Sequence, residues 1–331
     1  MSMNTRTKRV SPRPFGTRTI FADAIPGFRF ASPWTIFVSS LREDGGSRPR
    51  LTERQICLGN ETYVCDRLRL RTVFVILAVA LLSSAAAQTH AQGNYEIQVY
   101  GADTVAPRST MLELHSNFTA EGHPAMDGVA ATNHAEHETV EITQGINDWS
   151  EVGFYIFTSE QSGLGMQWVG DHIRPRVRVP EKWRWPVGVS LSMEFGYQRA
   201  EFSPDTWTWE IRPIVDKTAG RWYFAVNPAL ERTWHGPDVK QGIGFAPAAK
   251  ISYDFTKKIT GGFEYYADYG SITSIASLRD QQQQLFPAID LNVSPDWEFN
   301  FGVGLGPTAA TDHWIVKCIV GRRFDWSRKK Q

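Results

Sequence analysis

The chain has 331 residues, and 35 Lys and Arg balance 35 Asp and Glu. That neutrality argues against a nucleic-acid binder. A mean hydropathy of −0.32 argues against a bundle of membrane helices. Aromatic residues make up 12%, with 12 Trp among them, which is rich for a soluble domain.

Residues 1–66 are Arg-rich, contain proline and sustain neither a strand nor a helix period, so they read as a disordered upstream extension outside the fold. Arg67, Arg69 and Arg71 then precede the apolar run Thr72–Leu82, which ends in small residues through Ala91. A basic start, a short apolar stretch and small residues at the cut describe a secretory signal over 67–91. The run is shorter than the ~20 residues a spanning helix needs. The simplest account of a signal so deep in the chain is that translation starts just before Arg67. Of the three cysteines only Cys318 follows the signal, so no internal disulfide framework is expected.

Residues 92–110 are expected to form a periplasmic lead, 111–326 a barrel and 327–331 a polar tail. Alternation begins with Leu112, Leu114 and Phe118 against Glu113, His115 and Asn117. Further segments fall at 137–147, 149–159 and 166–179. In 186–199 Leu191, Met193 and Phe195 oppose Ser190, Ser192 and Glu194. In 206–215 Trp207, Trp209 and Ile211 oppose Thr208, Glu210 and Arg212. Segments 221–234, 244–255, 259–268 and 284–294 repeat the pattern, and Trp297–Leu305 and 313–324 close the series. Successive strand residues point to opposite faces, so each segment carries one apolar and one polar face. About twelve segments of this length suit tilted strands that cross a bilayer, each needing ~9–11 residues. Short turns alternate with longer polar loops, and tryptophans gather at both ends of the segments. The predicted fold is an all-β, up-and-down antiparallel transmembrane barrel with short periplasmic turns and longer extracellular loops. A periplasmic β-sandwich on an uncleaved anchor is the alternative. Pro175, Pro213, Pro228, Pro247 and Pro287 all fall within strands, on the apolar parity. Each lacks a ladder donor, so bulges or gaps are expected there.

The runs Glu210-Ile-Arg-Pro-Ile, Gly220-Arg-Trp-Tyr, Asn227-Pro-Ala, Ser252-Tyr-Asp-Phe-Thr-Lys-Lys and Gln281–Gln284 followed by Phe286-Pro287 carry a resemblance. With them the stretch 95–326 resembles Gram-negative outer-membrane barrels, loosely grouped with porin-like proteins of aromatic-degradation operons. The resemblance implies an outer-membrane, transport-related role and names no substrate.

The polar parity supplies the pore-lining candidates. The basic ones are Arg174, Arg176, Arg178, Arg212 and Lys250. The acidic ones are Glu113, Glu141, Glu194, Glu210 and Glu231, with Glu264, Asp290 and Glu298 further on. His115 joins them, and Asp171, Asp254, Asp268, Lys317 and Arg323 are also assigned inward. Buried charges in a narrow lumen must pair, so a structural ion-pair network is one reading. The other is a selective pore. Arg174, Arg176 and Arg178 place guanidiniums about 7 Å apart on one face, a stripe that could attract a carboxylate or phosphate. It could equally neutralise Glu141, Glu194 and Glu210. No catalytic motif stands in a supporting context, so no enzyme, cofactor or metal is expected; His123, His134 and His137 fit no standard metal spacing. The expected function is a porin-like outer-membrane channel for small solutes, with anions as the candidate class. A barrel enzyme acting on lipid and a closed structural or adhesion barrel are the alternatives. The expected partners are the lipid bilayer, the outer-membrane assembly machinery and an unknown solute, with no nucleic acid. N-terminal sequencing of membrane-inserted protein should find Gln88 or Gln92 first; Met1 or Ser2 would contradict processing at this signal.

Overall fold

A computed structural model describes residues 91–326. The upstream extension, nearly all of the signal segment and the polar tail lie outside the described residues. Twelve antiparallel strands form the barrel. β1 spans Ser109–Glu121, β2 Glu136–Asn147, β3 Ser150–Gln161 and β4 Gly165–Arg178. β5 spans Gly188–Gln198, β6 Trp207–Ala219, β7 Trp222–His235 and β8 Gly244–Asp254. β9 spans Ile259–Asp268, β10 Gln282–Leu291, β11 Trp297–Leu305 and β12 Trp314–Asp325. Each strand pairs with the next, and β12 pairs back onto β1 from Ser109 opposite Asp325 to Glu121 opposite Trp314. A two-rung ribbon, Gly270–Ser271 with Ser274–Ile275, decorates the loop after β9.

Closure leaves no edge, so every strand is paired on both sides. The alternation then decides what faces where. Outside stand Leu114, Phe154, Val226, Phe263 and Phe301, each 42–53% exposed. Inside are Glu113, Glu141, Arg174, Glu194, Glu264 and Lys317, all 6% exposed or less. Apolar outside and charged inside reverses a soluble barrel and matches one that spans a bilayer. Trp149, Trp222, Trp297 and Trp326 mark the short-turn rim, and Trp168, Trp207, Trp234 and Trp314 the long-loop rim, all of them exposed. Amphipathic rings favour those headgroup levels.

The prolines are accommodated as gaps in ladders whose register is kept. The β4–β5 ladder skips Arg174 and Pro175, resuming at Arg176 opposite Ser192. The β6–β7 ladder runs to Ile211 opposite Leu230 and restarts at Val215 opposite Val226, leaving out Pro213 and Pro228. The β7–β8 ladder passes unbroken through Pro228 opposite Pro247. A strand residue directs its N–H to one neighbour only, so a proline opens one ladder and spares the other. The β10–β11 ladder likewise skips Phe286 and Pro287.

The largest departure from the sequence reading is the segment before β1. Expected as a periplasmic lead, 94–105 instead runs through the lumen. Asn94 bonds Asp312 in the loop between β11 and β12, at the long-loop end. Val105 N–H donates to Glu151 at the start of β3, at the short-turn end. Between them Tyr95, Ile97, Val99, Tyr100 and Ala102 are all buried. The barrel wall is shaped for this chain: a Cβ on Gly145 would strike the carbonyls of Val105 and Ala106.

The outward set should resist charge. Leu191→Arg, Phe263→Arg and Phe301→Arg should each cost about 2–4 kcal/mol in equilibrium folding into lipid. Leu278→Arg, on a more exposed leucine in the loop after β9, should cost under about 1 kcal/mol. Equal costs at both places would contradict a membrane belt.

Candidate functional site

The candidate site is the lumen. All fourteen pore-lining candidates lie on inward parity, and they form three ion-pair groups and one cluster with a lone contact. In the first group, on β2–β4, Arg174 reaches Glu141 at 2.5 Å and Glu151 at 3.3 Å. Its Nε also donates to the Tyr155 hydroxyl. Arg176 meets Glu151 at 2.7 Å. Arg178 meets Asp103 at 3.1 Å and Glu181 at 3.0 Å, both largely solvated.

In the second, on β4–β7, His172 Nδ1 lies 2.5 Å from Glu194 and Arg212 meets Glu210 at 2.5 Å. Arg212 also faces Glu96 of the threaded segment at 3.6 Å. Glu231 stands directly across the ladder from Glu210. In the third, on β8–β12, Lys250 bridges Glu264 at 3.0 Å and Asp290 at 2.8 Å. Lys317, 0% exposed, also pairs with Glu264, and Asn300 donates to Glu264 and Asp290. The remaining cluster is Glu113, His115 and Glu141, with Glu298 beside Glu113; here His115 Nε2 is 3.6 Å from Glu141 Oε2.

Asp171 is a correction. It shares the parity of Ile173 and faces outward, where the Trp168 indole N–H donates to it at 3.2 Å. His172 occupies the inward place, and the missing side chain of Gly196 makes room for its ring. His123, His134 and His137 part company. His123 lies 3.8 Å from Asp312, His134 turns to Asn133, and His137 packs edge-on against Tyr95.

The residues that sequence reasoning missed are those of the threaded segment. It makes no β-ladder, so inward side chains satisfy its backbone. Asn117 donates to the Asn94 carbonyl, Thr139 to Tyr95 and Lys317 to Ile97. Asn227 accepts from Tyr100 N–H at 2.7 Å and donates to its carbonyl at 3.0 Å. Asp216 accepts from Ala102 N–H, and Arg176 donates to the carbonyls of Gly101 and Asp103. Apolar inward residues receive its side chains: Tyr155 and Phe157 take Tyr95, Phe286 and Ile315 take Ile97, and Ile214 takes Tyr100 and Ala102. The arginine stripe is therefore bound on both sides, by wall carboxylates and by segment carbonyls. A sequence signal existed in the alternation of Tyr95, Ile97 and Val99 with Glu96 and Gln98.

Two cavities remain beside the segment. One of about 200 Å³ extends to the short-turn rim at Ser294, Pro295 and Asp296, with nine carboxylate residues and four basic residues in its lining. A second, of about 110 Å³, extends to Asp268 and Gln282 at the long-loop end, with Glu96, Glu210, Glu231 and Asp268 against Arg212. Gln98 lines both.

No family profile and no curated protein sequence matches the chain. Among solved structures it is similar to a KdgM porin, at 10% identity over 65% of this chain and 99% of that one, with a TM-score of 0.44. An outer-membrane channel from Pseudomonas putida F1 gives 9% identity over 69% and 100%, with a TM-score of 0.47. A NanC porin gives 7% identity over 63% and 97%, with a TM-score of 0.44.

Arg174 and Arg178 of the stripe differ in the burial of their partners, and that sets a test. Arg174→Gln leaves the buried Glu141 without its arginine, while Glu151 keeps Arg176, and should destabilise the barrel by about 3–5 kcal/mol. Arg178→Gln loses only solvated partners and should cost under about 1 kcal/mol. Similar melting behaviour for the two variants would refute the structural role of Arg174.

Proposed function

We propose that the protein is an outer-membrane channel for small solutes, in which the N-terminal segment stays in the lumen and sets the bore. The Arg–apolar–small-residue order of 67–91 supports export with cleavage of the signal. The lipid-facing belt supports insertion, which in the outer membrane requires the barrel assembly machinery as a partner. Solute passes beside the segment through the two cavities, which share Gln98 in their linings.

The observation that carries the solute class is the charge of that path. Nine carboxylate residues against four basic ones line the larger cavity, and four against one line the smaller. Rings of carboxylates favour cations. An anion path would need free guanidiniums, and Arg174 and Arg176 are bound to Glu141, Glu151 and the segment. The packed segment also favours a second reading, a closed barrel that works through its loops.

Planar-bilayer recording separates them. The intact protein should conduct weakly, with a reversal potential on the cation side in a salt gradient. Deleting 93–104 should raise single-channel conductance several-fold. Anion preference in the intact protein would overturn the solute class, and silence of both proteins would favour the closed barrel.

A further inference from the structure

Glu113 and Glu141 stand directly opposite each other on β1 and β2, both facing inward and both buried. Like charges across a ladder repel, and burial strengthens the repulsion. His115 lies two residues beyond Glu113 on the same face, 0% exposed, and neither ring nitrogen has a hydrogen-bond partner. Glu141 is half satisfied. Its Oε1 takes Arg174 at 2.5 Å and the Thr143 hydroxyl at 2.6 Å, while its Oε2 has no hydrogen bond and points towards His115 Nε2. A buried imidazole and a buried carboxylate oxygen left open beside each other are costly unless something joins them.

We propose that Glu113, His115 and Glu141 bind a divalent transition-metal ion of the Zn2+ type. The 3.6 Å between His115 Nε2 and Glu141 Oε2 is too long for a hydrogen bond. It is close to the ~3.4 Å edge of a tetrahedron with bonds of ~2.1 Å, the usual Zn–N and Zn–O length. One ligand atom from each of the three residues lies within 4.8 Å of the others, so a small turn of the Glu113 side chain closes the set. Glu113 and Glu141 both line the cavity that reaches the short-turn rim, which gives the ion a way in and leaves room for water as a fourth ligand. An imidazole in the set disfavours Ca2+ and Mg2+, which prefer oxygen. The ion would remove the repulsion between the opposed carboxylates and tie β1 to β2 beside the Arg174 network.

The test is titration of chelator-stripped, detergent-folded full-length protein with Zn2+ by calorimetry and with Co2+ by visible absorption. Wild type should take up one tight equivalent, show a Co2+ d–d band and melt at a higher temperature when loaded. Glu113→Gln removes a ligand while relieving the like-charge contact, so it should fold; His115→Gln removes the nitrogen. Each should weaken binding on the order of tenfold or more and change the Co2+ band. His137→Gln, at a buried lumen histidine packed on Tyr95, should leave both unchanged. Absence of a tight equivalent in wild type, or binding in Glu113→Gln equal to wild type, would overturn the site. If His115→Gln fails to show the heat-modifiable gel migration of a folded barrel, Glu113→Gln alone decides.

Discussion

A chain segment that enters a barrel without joining its sheet has N–H and C=O groups with no ladder to meet them. The lumen solves this with side chains, and Asn227 shows how: its amide bonds both the N–H and the carbonyl of Tyr100, as a neighbouring strand would. Asn117, Thr139, Lys317, Asp216, Arg176 and Glu151 complete the series along the axis. An unpaired buried backbone group costs about as much as a lost hydrogen bond, so these positions hold the segment in one register. The rest follows from that. Arg176 and Lys317 divide themselves between wall carboxylates and segment carbonyls, and Tyr155, Phe157, Ile214, Phe286 and Ile315 face inward because an apolar strip passes in front of them.

The segment also shapes the space left in a lumen rich in charge. Its apolar contacts fall on β3, β6, β10 and β12, and the remaining space lies toward the short-turn rim and toward the long-loop end. There the carboxylates outnumber the basic residues, and two of those basic residues, Arg174 and Arg176, are engaged by Glu141, Glu151 and the carbonyls of Gly101 and Asp103. The carbonyls of Gly101 and Asp103 engage the Arg176 guanidinium, while wall carboxylates engage that of Arg174.

Much of the wall was legible in the sequence. Period-two alternation with Trp at both ends placed the twelve strands to within a few residues, as with 259–268, which the structure reproduces. A bilayer makes that pattern strong, because outward positions in its hydrocarbon core favour apolar side chains. The prolines were legible as a conflict, and the structure resolves it with gaps that preserve register. Pairing within the lumen was harder to read. Alternation says that Arg174 points inward and not that Glu141 and Glu151 meet it, since partners come from strands whose stagger only closure fixes. Asp171 was misassigned although it shares the parity of Ile173. The threaded segment escaped because Tyr95–Val99 alternates like a short strand while lacking the length to cross a bilayer, and nothing local indicates that it lies inside one.

The central claim is that this segment occupies the lumen of the folded protein. A Cβ on Gly188 would lie 2.9 Å from the Ala102 Cβ and would strike Asp216 Oδ1, so once the Asp216 carboxylate swings aside, cysteines there need to part only slightly to reach the ~3.8 Å of a disulfide. With Cys57, Cys65 and Cys318 replaced by serine, Ala102→Cys with Gly188→Cys should form an intramolecular disulfide in folded, bilayer-inserted protein. Both thiols free to react with a membrane-impermeant alkylating reagent under oxidising conditions would contradict the account.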